Sequence, residues 1–107
     1  MASEAAKQII AAKLAAAKPF KPEQAKALDA FYKAARDYQE KILAPAQRLP
    51  SYGERRDFLN SDSVKQWDAH IKEHLELLQN LGIKFSGLMI ADICRAFIAV
   101  YLSVKTS

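Results

Sequence analysis

Residues Leu88–Val104 read LMIADICRAFIAVYLSV, the most apolar stretch of the chain. At 3.6 residues per turn its only polar face is narrow, formed by Asp92, Arg95, Ala99 and Ser103. Met89, Ile93, Ala96 and Val100 lie to one side. Ile90, Phe97, Tyr101 and Val104 lie to the next, and Ile98 and Leu102 close the arc. A helix this apolar needs more than one neighbour, so it belongs at the centre of a bundle or is shared with a second chain. Asp92 and Arg95 near its middle would be costly in hydrocarbon, which favours a core helix over a membrane span.

Three further helices are expected upstream. The first runs from about Glu4 to Ala17, with Ser3 as N-cap and a thin apolar stripe of Ala6, Ile10, Leu14 and Ala17. So thin a stripe predicts a loosely docked N-terminal helix within residues 1–20. The second starts at Pro22, which suits a first helical position, and extends to about Ala44. Leu28, Phe31, Tyr32, Ala35, Tyr38 and Ile42 share its apolar face, and opposite-sign neighbours such as Asp29–Lys33 and Arg36–Glu40 make the other a solvated face. Pro45 ends or kinks it, and residues 45–60 form an irregular connection, with a short helical turn near Glu54–Leu59. The third helix, about Val64 to Leu81, has a Ser63/Gln66 capping-box pattern and ends at Gly82, with Ile83 placed to touch Leu78. Ser86 can cap the fourth, and the short link predicts that helices three and four run antiparallel. The expected fold is therefore one all-α, four-helix bundle-like domain over residues 1–107, built around a central apolar C-terminal helix.

Composition agrees with a helical globule: half of the 107 residues are hydrophobic, and only 3 are Gly and 4 Pro. The single cysteine, Cys94, cannot form an internal disulfide, so a reducing, cytoplasmic setting is expected. Lys7, Lys13 and Lys18 interrupt any signal-like apolar run at the N-terminus. The net charge is +4, and residues 1–26 hold five lysines against two glutamates, while the third helix is acidic. Such a split permits an anionic partner without requiring one.

Chemistry-bearing motifs are few. His70-Ile-Lys-Glu-His74 has the H-x-x-E-H spelling of inverted zinc peptidases, but Glu73 projects away from the two histidines and no third ligand is evident. Cys94 lies mid-helix among apolar residues, an environment that suppresses the thiolate. There is no phosphate-binding or dinucleotide loop and no nucleophile elbow. A helix-turn-helix reading fails because the last helix would present Ser86-Gly-Leu-Met-Ile-Ala to the bases. No catalytic residue, cofactor or metal site is expected.

The expected function is that of a small non-enzymatic accessory protein acting through protein–protein interaction. An adaptor, inhibitor or immunity-type component of a bacterial or mobile-element system fits its size. Its interface is expected at Ile90, Asp92, Arg95, Phe97 and Tyr101 of the last helix, with Asp92 and Arg95 pairing on the polar face. The uncovered apolar surface predicts a homo-oligomer. The alternative is a basic nucleic-acid-binding protein, using the N-terminal lysines with Arg48, Tyr52, Arg55 and Arg56 for phosphate contact and base stacking.

Overall fold

The computed structural model describes residues 3–107, and all regular structure among them is helical. The elements are α1 (Glu4–Ala17), α2 (Pro22–Tyr38), a π-helical turn (Gln39–Leu43), α3 (Ala44–Arg48), α4 (Tyr52–Leu59), α5 (Asp62–Asn80) and α6 (Ile90–Thr106). The expected bundle is present, and α6 is central to it: α1 and α2 pack on α6, and α5 packs on α2.

Local signals explain most helix ends. Ser3 Oγ accepts from the Ala6 N–H at 3.1 Å, and Gln24 Oε1 accepts from the Lys21 N–H at 2.8 Å ahead of Pro22. At the end of α5, the Gly82 N–H donates to Gln79 O at 3.0 Å and the Ile83 N–H to Leu78 O at 2.8 Å. With Gly82 at φ 90°, this is the left-handed termination expected there, and it buries Ile83 beside Leu78.

Four expectations are corrected. First, α1 is not peripheral: Ala6, Ile10 and Leu14 are fully buried, and α1 supplies the cover that α6 needs. Lys18 Nζ fastens its end to α6 by donating to Val104 O at 2.6 Å and Ser107 O at 2.7 Å. Small alanines let the two backbones approach, so a thin stripe suffices. Second, α5 and α6 run parallel, both opposite to α2. Gln24 near the start of α2 donates to Leu81 O past the end of α5, and Tyr38 at the end of α2 donates to Asp68 near the start of α5. Asp29 of α2 likewise meets Tyr101 and Lys105 late in α6. Residues 81–89 travel back along the bundle: nine residues of extended chain reach about 30 Å, about the length of α5.

Third, residues 45–60 are not an irregular connection, because Pro45 perturbs the second helix without ending it. The proline lacks the N–H that would bond Lys41 O, and its ring would strike that carbonyl in regular α geometry. The helix widens instead: the Ala44 N–H reaches back five residues to Gln39 O, and helical structure continues to Arg48. Residues 45–60 are thus mostly helical, with α3 and α4 separated by a short bend. Fourth, the caps move. Ser61 rather than Ser63 precedes α5, placing Asp62 in the first turn, and α6 starts after Met89 because Gly87, at φ 80°, takes Ser86 out of helical register.

The centre of the core is aromatic. Phe31 meets Phe97 edge-on with ring centroids 4.7 Å apart, and Phe97 stacks on Tyr101 at 4.7 Å. Tyr32 and Phe85 flank the pair. Such contacts add about 0.5–1.5 kcal/mol each beyond the area they bury.

Candidate functional site: a cavity at one end of the bundle

Where α2 runs out and α5 and α6 begin, the helices do not close on one another. A cavity of about 560 Å³ lies there, walled by Leu43, Ala46, Val64, Ile90 and Ala91, with Leu59 and Met89 at its edge. The volume falls in the range of ligand-sized pockets, about 300–1,000 Å³. Pro45 contributes to it indirectly, because the π-helical turn sets the direction in which Leu43, Ala46 and Gln47 leave the bundle. Met89 and Leu59 are exposed to 74% and 41%, and Tyr52 on α4 to 73%.

Polar groups are sparse in this cavity, and they are unevenly paired. Tyr38 Oη donates to Asp68 Oδ1 at 2.6 Å. Burial, and then this bond to a carboxylate, push the Tyr38 hydroxyl well above its ordinary pKa, so it stays a donor at any physiological pH. Arg55 and Arg95 also line the cavity, yet neither has a carboxylate within 4.0 Å among the described residues. Arg95 Nε is shielded from solvent and has no hydrogen-bond partner. Leaving a shielded charged donor unpaired is costly, on the order of 1–3 kcal/mol or more.

The structure brings together residues that belonged to two separate expectations. Arg55 came from the anion-contact set; Ile90 and Arg95 came from the interface set. All three line one cavity. Arg48, Tyr52 and Arg56 are exposed on the neighbouring short helices, with Arg56 beside Asp57 at 3.8 Å in a solvated pair of little energetic weight. Two interface residues are corrected: Phe97 and Tyr101 are buried at 0% and 1% in the aromatic core and offer no surface to a partner. The Asp92–Arg95 ion pair is not formed. Asp29, expected to serve the solvated face with Lys33, instead accepts from Tyr101 Oη at 2.6 Å and Lys105 Nζ at 2.9 Å.

Sequence reasoning passed over Tyr38, Asp68, Leu59 and Met89 as site residues. Tyr38 read as core and Asp68 only as part of the acidic third helix; Pro45 inside a continuing apolar pattern was the one available sign of an irregular wall.

Elsewhere the chemistry is quiet. His70 and His74 stack edge-on at 4.8 Å along α5, and His74 reaches Phe31 at 6.3 Å. Partial burial, and then the neighbouring His70, lower the His74 pKa. Among the described residues no three His, Cys, Asp or Glu side chains converge as a metal site. Burial pushes the Cys94 thiol up to about 12. No helix among the described residues is long and apolar enough to cross a membrane. Comparisons with known protein families, with curated proteins and with solved structures find no match for this chain.

Proposed function

We propose that this chain is a cytoplasmic, non-enzymatic accessory protein that works by binding another protein at the open end of the bundle. The observation that carries it is a largely apolar cavity whose edge presents Leu59 and Met89 to solvent, with Tyr52 exposed on the same short helix as Leu59. Exposed apolar side chains around a preformed depression are the anatomy of an interface whose central anchor fills a pocket. An adaptor, inhibitor or immunity-type protein would use such an end without any catalytic group.

A photo-reactive side chain introduced at Met89 tests this in cells that produce the protein. It should yield a discrete crosslinked product, and the same group at Leu77, near the other end of α5, should not. The partner so identified, once purified, should bind with little dependence on moderate salt and lose at least about tenfold in affinity to Leu59→Asp with Met89→Asp, a change of roughly 1.4 kcal/mol. Equal labelling from both positions, or a product that is a second copy of this chain, would overturn the hetero-partner reading; the latter would establish the homo-oligomer.

The exposure of Arg48, Tyr52, Arg55 and Arg56 on two adjacent short helices favours nucleic-acid contact as a second reading. Labelled DNA and RNA titrated at two salt concentrations decide it. Affinity that falls steeply with salt and weakens in Arg55→Ala with Arg56→Ala would support it.

A further inference from the structure

We propose, resting on the protein-binding reading above, that the end cavity recognises an internal acidic–apolar segment of its partner. A large aliphatic side chain enters the cavity, and a neighbouring Asp or Glu carboxylate meets Arg95, with Arg55 at the same site. The apolar walls set the first requirement: Leu43, Val64, Ile90 and Ala91 offer nothing to a polar anchor. The charge balance sets the second. Two arginines line the cavity against one carboxylate, Asp68, which already accepts from Tyr38 Oη at 2.6 Å. Arg95 lines the cavity with no carboxylate within 4.0 Å among the described residues, so an incoming carboxylate supplies the counter-charge that the chain itself does not. Apolar groups stand exposed both on α4, at Tyr52 and Leu59, and before α6, at Met89. A segment can therefore cross the cavity between α4 and α6 rather than end in it, which favours a side-chain carboxylate over a chain terminus.

The test uses the whole protein and two blocked peptides, acetyl-Gly-Leu-Glu-Gly-amide and its Glu→Gln counterpart, followed by NMR titration. The acidic peptide should shift the backbone signals of Leu43, Ala91 and Arg95 and bind about tenfold or more tightly than the Gln peptide. Arg95→Met should abolish that difference, and it should fold, because the Arg95 side chain forms no ion pair among the described residues and its Nε has no hydrogen-bond partner. Asp68→Asn keeps an acceptor for Tyr38 but removes the competing charge, so it should tighten binding of the acidic peptide several-fold. Equal affinity for the two peptides, shifts centred away from the cavity, or weakening by Asp68→Asn would overturn the proposal. So would failure of both peptides to bind, whereas the protein-binding reading is decided separately by the Met89 crosslink. A third peptide, acetyl-Gly-Leu with a free carboxyl end, binding more tightly than the Glu peptide would overturn the internal-segment assignment.

Discussion

The two ends of the bundle use the same device and finish it differently. At one end Tyr101 of α6 donates to Asp29 of α2, and at the other Tyr38 of α2 donates to Asp68 of α5, both at 2.6 Å. Lys105 completes the first pair by reaching Asp29 at 2.9 Å. No cation lies within 4.0 Å of Asp68 among the described residues, although Arg55 and Arg95 line the same cavity. One end is a finished structural joint, with its charges locally balanced and its aromatic rings packed. The other keeps unspent hydrogen-bonding capacity beside an unfilled apolar space. Residues that stabilise and residues available for binding are thus sorted by position along the bundle rather than by type.

The sharpest way to break that contrast is to damage the packed region. Phe97→Ala should cost about 3–5 kcal/mol by urea denaturation, a large share of the roughly 5–15 kcal/mol that holds a domain together. A loss below about 1 kcal/mol would mean that the aromatic centre is not well packed. Leu14→Ala follows at about 2–5 kcal/mol if α1 is as integral as its burial indicates. An undocked α1 would leave the urea midpoint unchanged.

Tyr101→Phe should cost about 1 kcal/mol, because Asp29 is half-exposed and solvent screens the bond. Its pH dependence is more diagnostic. The hydrogen bonds from Tyr101 and then from Lys105 hold the Asp29 carboxyl below its ordinary value. The stabilisation is complete above the unfolded-state pKa of about 3.9 and is lost as pH falls through the lower folded-state value. The wild-type protein should therefore lose stability to acid more steeply than Tyr101→Phe, as followed by urea midpoints between about pH 6 and pH 2. Parallel curves would remove Asp29 from the account of the closed end. The smallest effect belongs to the open end: Met89→Ser should change stability by no more than about 0.5 kcal/mol. Cys94 should meanwhile resist thiol reagents until the protein unfolds, as it is buried with its thiolate disfavoured.

Much of the fold was legible locally. Ser3, Pro22 and Gly82 each set a helix end by a short-range rule, and the stripe from Leu28 to Ile42 placed most of the buried face of α2. The direction of α6 was not legible, because a connection such as residues 81–89 fits a tight reversal and an extended return equally well until the partners of Phe85 and Ile83 are known. The site was half legible. Arg55, Ile90 and Arg95 stood out as polar or apolar residues in unusual settings, but they are far apart in sequence, and their convergence depends on α5 and α6 starting at the same end.

The sequence by itself determined an all-α chain with an apolar last helix too wide for one neighbour, since periodicity and capping act within a few residues. The tertiary structure alone decided which neighbours cover that helix, and that the cover stops short at one end. Three parallel helices against one antiparallel partner bring the starts of α5 and α6 beside the widened turn before Pro45, where backbone geometry rather than side-chain pattern prevents the bundle from closing.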